Sequence, residues 1–174
     1  MITNSDDLRK YKKKTNFFET PNVLANQMAG LLAIKHGDKI LEPSIGLAAL
    51  IKAVEKKYKF EFSVDFCEIQ DSFYPHLTDY NFVGSDFVDY NPGQIYDAII
   101  MNPPYKNKLA EKHIDHAWDC LKPGGKIVAL VGEGSINYID EEYSGYVFHR
   151  EEIKKAFKET PITVYLLLIH KPLY

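Results

Sequence analysis

Asp97-Ala98-Ile99-Ile100-Met101 is a short, mostly apolar run that Asn102-Pro103-Pro104-Tyr105 cuts off at once. A run of this kind suits a strand covered on both faces, as in a parallel sheet. Pro103 forces Asn102 into an extended conformation, and neither proline has an N–H to give a neighbouring strand. The Asn102 amide and the Pro103 carbonyl are therefore left at the strand's carboxyl end as groups no ladder consumes, with the Tyr105 ring beside them. In open α/β sheets, ligands bind beyond the carboxyl ends of the strands. An amide oxygen, a free carbonyl and an aromatic face placed there form a receptor for a planar group carrying an amino function. In isolation the same string is also a strand followed by a proline turn, so the signals upstream decide between the two.

Those signals repeat the arrangement. Lys39-Ile40-Leu41-Glu42 reads as a first strand, and the turn Pro43-Ser44-Ile45-Gly46 leads into a helix from about residue 47 to 57. Gly46 permits close approach of backbone to ligand. A strand–turn–helix of this kind is where nucleotide-like cofactors sit in doubly wound folds. Residues 62–68 form the second strand, ended by Glu68 about twenty residues past the turn, where such folds place the acid that holds ribose hydroxyls. Residues 70–77 suit a short helix interrupted at Pro75, and residues 81–87 hold a short third strand ending at Asp86. A terminal Asp is often a turn former. In register with Glu42, Glu68 and Asn102 it reads as a ligand group.

A helix at 106–121, a fifth strand at 126–131 and a last strand at 162–169 complete the alternation. This pattern predicts an α/β fold with a doubly wound, mostly parallel sheet. Ahead of it, Thr20 suits a helix N-cap and Pro21 a first helical position. Val23, Leu24, Met28, Leu31 and Leu32 fall on one face of that helix, and Gly37 ends it. Residues 132–146 read as a loop over the site and residues 151–159 as a helix. His113, His116 and Cys120 lie three and four apart and could share a helical face as zinc ligands. No fourth ligand stands at diagnostic spacing, and no metal is expected.

A chain of 174 residues, 45% of them hydrophobic, is one domain with a substantial core. Its apolar runs, such as Val164–Ile169, are too short to span a bilayer, so no membrane partner is expected. The Lys-rich N-terminus is not a secretory signal. Cys67 and Cys120 are the two cysteines; they imply no disulfide framework and fit a cytoplasmic location. Residues 1–15 read as a basic arm and 16–174 as the folded domain. A net charge of -3 does not mark a nucleic-acid binder, and distribution matters more than the sum. Arg9, Lys10, Lys12, Lys13 and Lys14 cluster in the arm, and Lys52, Lys56, Lys57 and Lys59 form a second group. Each is either a solvated face or a set of phosphate contacts, which would give salt-dependent affinity without reading sequence.

With Asn102-Pro103-Pro104-Tyr105 and the signals before it, the chain resembles the S-adenosylmethionine-dependent N6-adenine DNA methyltransferases from Phe17 to about Ile169. The resemblance implies a Rossmann-like class I methyltransferase fold with S-adenosylmethionine as cofactor. It makes Asn102, Pro103, Pro104 and Tyr105 the catalytic motif. It assigns cofactor contacts to Phe18, Thr20, Glu42, Pro43, Ser44, Gly46, Glu68, Ile69, Asp86, Phe87 and Asn102, with Asp86 accepting from the cofactor's adenine amino group. Lys12, Lys13, Lys14 and Lys106 become candidate contacts to nucleic acid. The Lys122-Pro123-Gly124-Gly125 approach to the fifth strand fits the same pattern.

The target implied is the amino nitrogen of an adenine flipped out of DNA. That nitrogen is a poor nucleophile because its lone pair is delocalised into the ring. Two acceptors, the Asn102 oxygen and the Pro103 carbonyl, would draw it toward tetrahedral geometry while Tyr105 stacks on the base. Enzymes that methylate glutamine in release factors share the four-residue motif, so protein glutamine and RNA adenine remain alternatives, as does an inactive methyltransferase-fold subunit. Two departures stand out. Ala48 occupies the place of a second glycine, and the chain stops where a target-recognition domain would start, with the antiparallel last strand of the usual seven expected to be missing. The expectation is then one of three: methylation with little sequence preference, recognition borrowed from a partner chain such as a specificity subunit or from a homodimer, or a chain that is a fragment of a longer product.

Overall fold

A computed structural model of the chain describes residues 18–158 and 160–174; the basic arm with Lys12, Lys13 and Lys14 lies outside the described residues. Its centre is a seven-stranded sheet in the order β3-β2-β1-β4-β5-β7-β6. The strands are β1 (Lys39–Glu42), β2 (Ser63–Cys67), β3 (Asn81–Gly84), β4 (Tyr96–Met101), β5 (Leu121–Gly132), β6 (Val147–Ile153) and β7 (Val164–His170). From β3 to β5 all pairs are parallel, and β7 runs antiparallel to both β5 and β6. Among the described residues four α-helices accompany it: α1 (Asn22–Leu32), α2 (Ala49–Lys57), α3 (Leu109–Cys120) and α4 (Ile136–Glu142).

Strand alternation divides the core into two layers. In β4, Ala98 and Ile100 face α1 and α2, whereas Ile99 and Met101 face α3 and α4. Each strand residue in this centre is buried whichever way it points, which is why β4 reads as a continuous apolar run. The chain leaves β1 toward β2 on one side and reaches β4 on the other. The crevice between β1 and β4 is therefore the switch point of the sheet.

Several boundaries differ from the sequence expectation. In α1, Pro21 occupies the N-cap position and Thr20 makes no cap, while the helix ends at Leu32 because Ala33 turns left-handed at φ 45. Its buried face is Leu24, Ala25, Met28, Ala29 and Leu32; Val23 is 82% exposed because it lies one residue ahead of that stripe. Gly37, at φ 84, serves the turn into β1 instead of the helix end. The helix after the motif begins only at Leu109, since Asn107 and Lys108 are both left-handed. Residues 132–146 are not a loop: they hold a 3-10 turn and α4, tied to α3 by hydroxyls of Tyr138 and Tyr143 that donate to Asp115 at 2.7 and 2.8 Å.

The largest correction is at the edge. Residues 147–153 form strand β6 and residues 151–159 no helix; Glu151 and Glu152 stand opposite Leu166 and Tyr165 of β7. Pairing with β7 overrides the local preference of Glu and Lys for helix. Counting β6 as a helix is also what made the sheet look one strand short: the antiparallel strand β7 is present, and all seven strands form. No helix among the described residues is long and apolar enough to cross a membrane.

Candidate active site

A cavity of about 320 Å³ opens beyond the carboxyl ends of β1, β2, β3 and β4. Thirteen of the sequence-selected residues line it. The chain before α1 supplies Phe18 and Thr20, the end of β1 supplies Glu42, Pro43 and Ser44, and the end of β2 supplies Glu68 and Ile69. Asp86 and Phe87 follow β3, and Asn102, Pro103, Pro104 and Tyr105 follow β4. Gly46 and Lys106 are not part of the lining; Lys106 is exposed on the segment leading to α3.

Two carboxylates form the floor. Glu68 is 5% exposed, and its oxygens accept from the Gly46 N–H at 2.8 Å and the Gln70 N–H at 2.9 Å. Gly46 thus acts through its amide, holding the acid that the sequence reading assigned to a ligand. Burial still raises the Glu68 pKa against these two bonds. Glu42 is 2% exposed, and its Oε2 is buried with no partner among the described residues. Burial first, and the Glu68 charge second, push its pKa well above the usual range. A carboxylate in this position awaits a cation or a donor.

The turn above the floor is tight. Gly46 has φ 55 and Ala48 φ 61, so both residues lie in the left-handed region. Ala48 is fully buried among residues of the α1 and α2 layer. A glycine at 48 would fit that backbone without strain, which gives the departure from the glycine pattern a local physical meaning.

The β4 tip is organised by its own hydrogen bonds. The Asn102 amide nitrogen donates to the Phe18 carbonyl at 3.1 Å and to Thr20 Oγ1 at 3.2 Å. These two acceptors fix which way the amide faces and leave Oδ1 as its only acceptor, which receives the Tyr105 hydroxyl. Thr20 is therefore an anchor for Asn102, where the sequence expectation made it a helix cap. The Tyr105 ring lies near-parallel to Phe18 at 6.2 Å and tilted to Phe157 at 6.3 Å. Burial raises its phenol pKa, so the hydroxyl stays a donor. Asp86 accepts from the Val88 N–H at 3.1 Å and caps the 3-10 turn Phe87–Asp89.

Other lining residues escaped the sequence reading. Ile45, Leu47, Leu50 and Leu109 supply apolar wall, and Gln70 and Ser85 supply polar edge. His113 of α3 also lines the cavity, 5% exposed. The 3.6-residue period shows that it shares a face with Leu109, yet only the fold brings that face to the β3 and β4 tips. His116 meets the Tyr90 carbonyl, and Cys120 is buried in the core with Ile114 and Ala117.

No family model matches the chain. Over 91 residues it is 31% identical to a Type II methyltransferase of Thermus thermophilus, a match covering 50% of this chain and 20% of that one. The chain thus spans about a fifth of the length of that curated relative. Among solved structures it is similar to a type I restriction-modification methyltransferase subunit from Streptococcus thermophilus, with TM-score 0.72, 16% identity, and 88% and 45% of the two chains covered. A provisionally named RNA methyltransferase from Pyrococcus horikoshii gives TM-score 0.71, 16% identity, and 89% and 86% covered. These likenesses show that the fold is the Rossmann-like class I methyltransferase fold.

Proposed function

We propose that the chain transfers a methyl group from S-adenosylmethionine to the N6 amino group of an adenine in DNA. The observation that carries this reading is the Asn102 amide. Its nitrogen is held by Phe18 and Thr20, which leaves Oδ1, the acceptor of the Tyr105 hydroxyl, as the free acceptor of a residue that lines the cavity with Pro103, Pro104 and Tyr105. Such a group accepts from an amino function and has no further hydrogen to give.

The cofactor fits the residues present. Glu42 carries a buried oxygen lacking a partner among the described residues, which suits the ammonium of an amino-acid moiety. Glu68 stands on the Gly46 amide at the turn, and the Asp86 carboxylate lies at the end of β3. When bound, S-adenosylmethionine supplies a methyl group on positively charged sulfur. Glu42 and Glu68 raise the local affinity for that charge, and Ile45, Leu50 and Leu109 exclude water from it. Asn102 and the Pro103 carbonyl orient the amino group of the base and stabilise the positive charge that develops on its hydrogens. Neither buried cysteine has to act as a nucleophile, because its thiol is held protonated by burial.

DNA is preferred over other targets because of the relative named as a Type II methyltransferase and the neighbour named as a subunit of a restriction-modification system. Lys106, exposed beside the motif, is a candidate phosphate contact, as are Lys12, Lys13 and Lys14 of the arm. Extruding the base from a duplex would require roughly a few kcal/mol, part of which stacking on Tyr105 returns. A specificity subunit or a second copy of the chain is a candidate source of target recognition, in keeping with the restriction-modification subunit among the structural neighbours. RNA adenine is the second reading, supported by the Pyrococcus horikoshii neighbour. The deciding experiment offers labelled S-adenosylmethionine with DNA, RNA and protein side by side, then digests and identifies the product. N6-methyladenine in DNA is expected; label only in RNA or protein overturns the DNA assignment, and no label anywhere overturns the activity.

A further inference from the structure

Phe87 is clamped edge-on by two histidines of α3, His113 at 5.3 Å and His116 at 4.7 Å between ring centroids. The two differ in what their nitrogens meet. His116 has the Tyr90 carbonyl, whereas neither nitrogen of His113 bonds to a described residue. Nδ1 of His113 is sealed inside the protein without a partner among the described residues, whereas Nε2 is not among the sealed atoms and the residue lines the cavity. Native folds pair their buried polar groups, so an unpaired one in a cavity wall marks a position where a ligand supplies the partner.

Burial lowers the His113 pKa to about 4, outweighing the opposing charge of Asp86. At neutral pH the ring is therefore uncharged, with one N–H and one lone pair. A proton on Nε2 points a donor at the cavity and leaves only an unfilled lone pair at Nδ1. The other tautomer would seal an N–H away from every acceptor. The first is the milder arrangement, and His113 packs against Phe87 within reach of the Asp86 charge, all three residues lining the cavity.

Resting on the cofactor reading above, we propose that His113 is a specificity-determining residue for the cofactor's nucleoside, its Nε2–H donating to a ring nitrogen of the purine. Asp86 offers an acceptor for an exocyclic amino group, and His113 offers a donor for a ring acceptor. The combination matches adenine, which carries both, and disfavours a purine that would turn a carbonyl oxygen toward the Asp86 carboxylate.

The test is equilibrium binding of S-adenosylhomocysteine and its 1-deaza, 3-deaza and 7-deaza analogues to the full chain and to His113→Leu and His113→Gln. Each analogue replaces one ring nitrogen by C–H. The wild type is expected to bind one of the three about three- to tenfold more weakly than the parent, the range for one neutral hydrogen bond. His113→Leu should bind the parent more weakly by a similar factor and no longer distinguish that analogue. His113→Gln, which keeps a donor near Nε2, should recover part of the discrimination. A His113→Leu variant with wild-type discrimination overturns the proposal. So does a wild type that binds all three analogues as tightly as the parent, an arm that needs no variant to fold. Failure of the wild type to bind the parent overturns the cofactor reading and this inference together, whereas binding without discrimination overturns the inference alone.

Discussion

At the floor of the cavity Glu42 keeps a buried oxygen with no partner among the described residues, whereas at its rim Asn102 commits both its amide nitrogen and its oxygen to Phe18, Thr20 and Tyr105. The floor is electrostatically incomplete and is completed by whatever cation enters. The rim is complete already, so a substrate there must share or displace an existing bond. An incomplete site gives affinity, because the ligand relieves a deficit already present. A site held by its own bonds gives orientation, because little has to reorganise at the moment of reaction. On the function proposed above, cofactor binding belongs to the floor and catalysis to the rim, and the two should respond to mutation differently.

The largest separation is expected between Asn102→Ala and Asp86→Ala. Removing the oriented acceptor should lower turnover by about 100- to 1000-fold with cofactor affinity little changed. Asp86→Ala should weaken cofactor binding by about tenfold and leave turnover at saturating cofactor close to wild type. Steady-state kinetics and calorimetry on both variants check this, and two variants that both methylate at the wild-type rate would sink the site assignment.

Tyr105 sharpens the rim half. Its ring packs near Phe18 and Phe157 while lining the cavity, and its hydroxyl occupies the acceptor that the base would use. An amide oxygen has two lone pairs, so the hydroxyl and a base can share it. Tyr105→Phe should therefore stay within about fivefold of wild type in kcat/KM, whereas Tyr105→Ala should lose about tenfold or more through stacking. Equal losses in the two variants would mean that the hydroxyl, not the ring, matters.

For the floor, pH is the probe. Glu42 has a folded pKa raised above its ordinary 4.5, so the stability it contributes is full below that value and lost as pH rises through the folded pKa. His113, lowered from 6.5 to about 4, runs the other way: its contribution is present above 6.5 and lost as pH falls toward 4. Asp65 and Asp97, lowered from 3.8, lose theirs only below that value. The difference between wild type and Glu42→Gln isolates the Glu42 part. In urea unfolding of the cofactor-free protein, the variant should gain on the wild type as pH rises above 4.5. A pH-independent difference would mean that Glu42 has a partner after all.

The same contrast explains what could be read in the sequence. β1 and β4 were legible because a strand covered on both faces writes itself as a largely apolar run, and the acid or amide that ends it stands out; β2, with Ser63 exposed and Asp65 inside it, shows only a shorter apolar stretch, Phe66-Cys67, before its acid. Glu42, Glu68 and Asn102 follow from that rule. β6 was not legible, since Arg150, Glu151 and Glu152 on an edge strand look like helix until β7 is placed beside them. Thr20 and His113 were misread or missed for a related reason. Each is defined by what it meets across the fold, Asn102 in one case and the cavity wall in the other, and neither meeting leaves a local mark.

The smallest effect is expected at Ala48, where the chain departs from the glycine pattern. A left-handed alanine is strained by about 1–2 kcal/mol. Replacing it by glycine would relieve that strain but lose a buried methyl worth about 0.8 kcal/mol. It would also loosen the unfolded chain by about 0.4–1 kcal/mol. The terms nearly cancel, so Ala48→Gly should shift unfolding free energy by no more than about 0.5 kcal/mol and leave cofactor affinity unchanged, because Ala48 is not among the cavity-lining residues. Ala48→Val adds branching that the left-handed region tolerates poorly, and should destabilise by more. If Ala48→Gly instead tightened cofactor binding severalfold, the methyl group would be obstructing the turn, and the floor would be less finished than its buried acids imply.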